Sequence, residues 1–172
     1  MTPPVRGRGR RRDVWDAAMV GPPDPRCQAV AAGARVGEDA AMGAPPEPQL
    51  DEDERRQFAR GVDEFNRGFY FECHDTIEDL WAGLRGPSRD FFQGLIQVSV
   101  AFYHLGNGNL AGAESMSRRA LKRFERYPDR YFGFDLAAQR GALRLLLEGI
   151  AGGDAEAVAS AGPPRWTFDV LD

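Results

Sequence analysis

Apolar residues recur at spacings of three and four along most of the chain from Leu50 onward, and this period predicts an all-α fold. Ser, Asn or Asp precedes most of the apolar runs and Gly or Pro follows them, as is typical of helix ends. We therefore predict a compact bundle of about five helices, with Ser88, Asn109 and Asp135 as N-caps. The expected helices are Leu50–Arg67, Phe69–Leu84, Arg89–Leu105, residues 110–127 and residues 136–152.

A weak internal similarity accompanies this pattern. The segments NRGFY (residues 66–70) and GNGNL (residues 106–110) each join two predicted helices, and several apolar positions around them match at a spacing of 40 residues. This arrangement indicates two stacked helical hairpins, weakly similar to tetratricopeptide repeats. Two such units are too few for a solenoid, so we expect a closed bundle.

The third predicted helix is apolar around almost its whole circumference, which predicts a central position. One polar row interrupts it, because Gln93, Gln97 and His104 lie within about 40° of one another at 100° per residue. Gly94 and Ala101 share another face and would allow a neighbouring helix to approach closely. Since unpaired buried polar groups are costly, we expect the row to be hydrogen-bonded.

The second predicted helix carries the other of the chain's two histidines. His74 and Glu78 are neighbours at positions i and i+4 along the edge of an apolar face. By the same helical spacing Glu72, Asp75 and Asp79 point to the opposite, solvated side. The two histidines therefore indicate where a site would be, without specifying a reaction.

Three interpretations of these polar residues remain open. They can form a structural hydrogen-bond network that joins the second and third helices. They can bind a divalent transition metal such as Zn, Fe or Mn, with His74, Glu78 and His104 as ligands. A metal-free acid–base pair of His74 and Glu78 is the third interpretation.

The fourth predicted helix is basic. Such a run is typical of a solvated helix face, and an anion or RNA site is the alternative. The residues after position 50 have 15 basic and 20 acidic side chains, so we expect no wholesale nucleic-acid binding by the folded part. The basic side chains of this helix are Arg118, Arg119, Lys122, Arg123 and Arg126.

The first 49 residues differ in composition from the rest. Residues 1–50 hold eight of the 12 prolines, together with six glycines, and they show no apolar period. We expect residues 1–49 to be a disordered extension, or residues 1–41 to result from a mis-called start with initiation near Met42. Residues 50–172 then form a single helical domain, which ends in a short extended tail around WTFDV.

No apolar run is long enough to span a bilayer or to form a signal peptide. Cys27 and Cys73 suggest no disulfide framework, which favours a reducing cytoplasm. We therefore expect a cytoplasmic protein without a membrane partner, whose ligand is a small polar molecule or another protein.

At this point two segments are specific enough to compare with known families. FNRGFYFECHDTIEDLW and FFQGLIQVSVAFYHLGNGNLAGAESMSRRAL resemble the bacterial and plastid family called domain of unknown function 309. The resemblance covers residues 55–125 and implies an all-helical bundle of no established activity. The positions that carry it include Asn66, Gly68, Tyr70, Glu72, His74, Asp75, Glu78, Trp81, Gln93, Gln97, His104 and Asn109.

These observations together predict a helical binding or scaffold module with a polar cluster between the second and third helices. A metal-dependent hydrolase-like or redox enzyme and an anion-binding protein are the alternatives. The expected cluster consists of Glu72, His74, Asp75, Glu78, Trp81, Gln93, Gln97, His104 and Asn109.

Overall fold

A computed structural model describes residues 45–168. They lie within the compact unit Met42–Asp172. The described part consists of six helices and one pair of short strands. In chain order these are α1 (Glu52–Asn66), α2 (Tyr70–Gly83), α3 (Arg89–Gly106), α4 (Leu110–Phe124), β1 (Arg130–Tyr131), β2 (Phe134–Asp135), α5 (Leu136–Gly152) and α6 (Ala155–Ser160).

The predicted all-α architecture is confirmed, since each helix packs against the next one along the chain. The five predicted helices are present with ends within three residues of the expected ones, and the short helix α6 is an addition. No described helix is both long enough and apolar enough to cross a membrane. Residues 1–44 of the predicted disordered extension, with the alternative start, lie outside the described residues. Pro46 and Glu47, which the predicted extension also included, accept hydrogen bonds from Tyr131 and Phe132.

Local capping explains why most helices begin where they do. Asp51 caps α1 in a reciprocal capping box with Glu54, so two backbone donors at the helix start are satisfied. Asn109 caps α4 by accepting a hydrogen bond from Gly112 N, and Asp135 caps α5 in the same way. The predicted cap at Ser88 is wrong, because this residue has helical backbone angles and its side chain makes no capping hydrogen bond.

Helix α3 lies at the centre of the bundle, as its apolar circumference predicted. Ten of its 18 residues are buried, against α2 on one side and α4 on the other. The close approach to α4 occurs at Gly94, where a Cβ atom would lie 2.4 Å from Cε1 of Phe124. The glycine therefore allows the phenyl ring to pack directly on the α3 backbone.

Residues 130–135 form a two-stranded antiparallel hairpin that the helical pattern did not predict. Its turn places Phe132 and Gly133 at positive φ angles of 49° and 77°. Phe132 is buried, and its backbone N–H donates to the carboxylate of Glu47 at 2.8 Å. Burial of the aromatic side chain holds a backbone conformation that only glycine adopts freely.

The segment after α6 returns to the core through Trp166, which is almost fully buried. Its indole stacks on the ring of Phe65 with centroids 3.7 Å apart, and Nε1 donates to Gln139 Oε1 at 3.0 Å. Asn66 exchanges two hydrogen bonds with the Trp166 backbone. The indole thus ties α1 to α5 and fixes the end of the described chain.

The contact at Gly94 yields a stability prediction. Gly94→Ala introduces a methyl group into the space of the Phe124 ring, so we expect a loss of about 1–3 kcal/mol from overpacking. Gly141→Ala is the matched control. Gly141 lies in the interior of α5, and a Cβ atom there would meet no atom within 4 Å. It should stabilise the protein by up to about 1 kcal/mol. Urea unfolding of both variants measures the two effects, and equal responses would contradict the proposed close approach.

Candidate functional site

His74 lies on α2 and is buried, with only 3% of its surface exposed. Its two ring nitrogens face two different carboxylates of the same helix. Nδ1 lies 3.0 Å from Asp75 Oδ1, and Nε2 lies 3.6 Å from Glu78 Oε2. A buried imidazole between two acids is the arrangement that singles out this part of the molecule.

The carboxylates connect the buried ring to the surface. The side chain of Glu78 is 34% exposed and that of Asp75 is 54% exposed. One nitrogen or oxygen atom from each of the three residues lies within 4.8 Å of the others, so the set is a candidate metal site. We call His74, Asp75 and Glu78 the α2 triad.

Asp75 lies on the solvated side of α2, as helical spacing predicted, and it is also the hydrogen-bonding neighbour of His74 Nδ1. A contact between adjacent residues depends on the side-chain rotamers, which helical periodicity does not describe. Glu72, by contrast, is exposed and lies outside the α2 triad.

His104 belongs to a different set of contacts, at the junction of α3 and α4. Its ring packs against Gly112, where a Cβ atom would come within 2.7 Å of Cγ of the imidazole. Its Nδ1 lies 3.2 Å from Nδ2 of Asn109. The Oδ1 atom of Asn109 also caps α4, so His104 and the start of α4 support each other.

The two histidines are connected through aromatic rings. His74 contacts Phe71, Phe71 contacts Tyr103, and Tyr103 contacts His104, with centroid distances of 6.2, 5.6 and 6.1 Å. His104 is outside the α2 triad. The predicted ligand set of His74, Glu78 and His104 is therefore not grouped together, and the third side chain beside His74 and Glu78 is Asp75.

The two predicted glutamines lie along the same α3 row as His104. Gln97 is 7% exposed, its Oε1 atom has no hydrogen-bond partner within the described protein, and Gln93 is half-buried. The side-chain hydrogen bond that joins α2 to α3 is instead made by Cys73 and Ser99, at 3.1 Å. The sequence analysis missed this pair, because both residues lie at positions that the helical pattern assigns to the hydrophobic core.

Trp81 is half-buried on α2, one turn beyond Glu78. The Arg89 guanidinium lies over its indole at 4.1 Å, and Arg89 also donates to the carbonyl of Leu84. This cation–π contact connects the end of α2 to the start of α3. Trp81 therefore supports the helix that carries the α2 triad, and it is not itself a member of that triad.

The basic side chains of α4 are largely matched with acids. Arg118 pairs with Glu114 on its own helix, while Arg123 and Arg126 both pair with Asp90 of α3 at 2.6 Å. Lys122 is exposed, and Arg119 also has an interaction partner. This pairing favours the interpretation of α4 as a solvated, ion-paired face over that of an anion site.

The site and its surroundings are similar to known proteins of no assigned activity. Residues 58–116 match the family "Domain of unknown function (DUF309)". This confirms the resemblance inferred from the sequence, and the DUF309 match contains both histidines. A curated relative is the "Uncharacterized protein YpuF" of Bacillus subtilis (strain 168), which is 35% identical over 54 residues. That match spans 31% of each chain, so it concerns about a third of the relative's length.

Cys73, next to the α2 triad, makes the stability sensitive to alkaline pH. Burial raises the pKa of the Cys73 thiol to about 12, while the hydrogen bond with Ser99 acts in the opposite direction. In the unfolded chain a cysteine thiol has a pKa of about 8.5. The unfolded state therefore releases this proton first, and stability falls as the pH rises from about 8.5 towards 12.

Cys73→Ala removes this titration, so its free energy of unfolding should decline less steeply between about pH 8 and 11. Urea unfolding across that range, on variant and parent, gives the two slopes. The free energy of unfolding of the variant still declines with rising pH, because burial also raises the pKa of Tyr127 and Tyr131. Identical slopes would show that the thiol is not protected in the fold.

Proposed function

We propose that the protein is a helical binding module whose ligand is a divalent transition metal held by His74 and Glu78 of α2. The separation of His74 Nε2 and Glu78 Oε2, 3.6 Å, carries this proposal. Two ligand atoms about 2.1 Å from one tetrahedral ion lie about 3.4 Å apart. The two side chains thus stand close to the spacing that a shared metal requires.

Asp75 has a different role in the proposal. Metal-binding histidines commonly donate their second ring N–H to a carboxylate, which fixes the tautomer and orients the ring. Asp75 Oδ1 lies 3.0 Å from His74 Nδ1 and is suited to accept that hydrogen bond. It then leaves the lone pair of Nε2 directed towards Glu78 and the ion.

The exposed part of the α2 triad determines what else can bind. Two protein ligands leave coordination positions open, and the partial exposure of Glu78 lets water or a small polar ligand occupy them. Binding is what these residues support. Apart from the same donor set, the described residues add no support for the hydrolase-like or redox alternative.

A cytoplasmic location is part of the proposal. The thiol of Cys73 is free and buried, which is compatible with a reducing compartment. Fractionation of cells that express the tagged protein tests the location directly.

The metal proposal is tested with Zn²⁺ and Mn²⁺ as the probes. Calorimetric titration of the purified, chelator-treated protein should show one site, and His74→Ala should abolish it. Asp75→Asn should weaken binding about 10–100-fold, because an outer carboxylate is lost while the ligands remain. His104→Ala is the matched control, since it removes the chain's other imidazole and should leave the affinity unchanged.

Absence of stoichiometric binding by the parent protein would refute the proposal and favour a purely structural role for the two carboxylates beside His74. Equal loss of affinity in the His74 and His104 variants would show that the α2 triad is not the site. Melting temperatures of the unloaded variants separate loss of a ligand from loss of the fold.

A further inference from the structure

An apolar surface without a described partner lies where α5 and α6 meet. Two hollows of about 480 and 430 Å³ share Gly149, Asp154 and Ala161 as lining residues, so they adjoin. Two of the large apolar side chains that remain exposed in the described residues line these hollows. Leu110, at 44% exposure, lines the first, and Leu145, at 60%, lines the second.

The interior of the first hollow is apolar, with Phe102, Ile150 and Val158 among its lining residues. Its volume falls within the range of about 300–1,000 Å³ that is typical of ligand pockets. An isolated exposed leucine is ordinary on a protein surface. Here each of two adjoining hollows has an exposed leucine at its edge, and apolar surface grouped in this way marks interaction sites.

The charged side chains that line the two hollows are all acidic. These are Asp154 and Glu148, and Glu156 is exposed on the adjacent helix α6. Arg144 and Arg165, their basic neighbours in the sequence, are not among the lining residues. A partner that complements the surface therefore has apolar side chains flanked by basic ones.

We propose that this surface binds a basic amphipathic helix of a partner protein. Side chains at i and i+4 or i+7 on one face of a helix suit two adjoining apolar hollows, and lysines or arginines beside them suit the acidic rim. A second copy of the chain docked face to face is disfavoured, because each acidic rim would then meet its own equivalent. The acidic rim also opposes nucleic acid.

The probe is a synthetic helix of about 18 residues with leucines along one face and lysines elsewhere, labelled for fluorescence anisotropy. We expect saturable binding that weakens as ionic strength rises from about 0.05 to 0.5 M. One control peptide has glutamates in place of the lysines, and another has the same composition in scrambled order. Neither control should bind measurably.

Protein variants locate the contact. Leu110→Ser with Leu145→Ser should weaken binding at least about tenfold, and Asp154→Asn with Glu148→Gln should do so at low salt. Asparagine at position 154 retains the oxygen that caps α6. The matched control is Asp79→Asn with Glu125→Gln, which removes two exposed charges elsewhere and should change nothing.

Three results would overturn the proposal. Equal binding of the acidic and basic peptides would show that the rim does not select a partner. Unchanged affinity in the double-leucine variant, with an unchanged melting temperature, would place the peptide elsewhere. A dimer of the parent protein in analytical ultracentrifugation that the double-leucine variant abolishes would show that a second copy covers the surface.

Discussion

Burial of helix α3 is the constraint on which the rest of the molecule depends. A helix packed against α2 on one side and α4 on the other has little room for polar groups, and each one present needs a specific partner. Ser99 meets this requirement by bonding to Cys73 and to the carbonyl of Leu95. His104 meets it through Asn109, at the end of the helix where α4 begins. Ser99 and His104 of α3 therefore attach the neighbouring helices through their polar groups.

This division explains why a single predicted cluster becomes two. The row on α3 and the edge of α2 look alike in sequence, because both place an imidazole beside an apolar face. In the structure His104 is tied to the start of α4, while His74 lies between two acids of its own helix. Of these two arrangements, the one around His74 brings three potential metal-ligand side chains together near solvent. The two histidines differ in their surroundings, and this difference is why we propose ligand binding at α2 and helix attachment at α3.

The sequence predicted most of the fold because helix ends are local. Asn109 and Asp135 cap helices through atoms three residues away, so their identity and position were sufficient. The role of Asp75 was not predictable from periodicity, since it depends on two adjacent rotamers. The β hairpin was not predicted for another reason. Its hydrogen bonds, from Tyr131 to Pro46 and from Phe132 to Glu47, reach the first residues of the described chain. Such contacts join residues that are 85 positions apart.

The two proposed sites draw on different parts of the chain. The α2 triad lies entirely within residues 58–116, the segment that matches the DUF309 family. The first of the two hollows takes one wall from that segment, including Phe102 and Leu110, and its other wall and the whole second hollow come from residues after 144. A protein that shares only the matched segment can therefore retain the α2 triad and lack the hollows. Metal binding and partner binding, as proposed, are separable properties, since each depends on side chains that the other does not use.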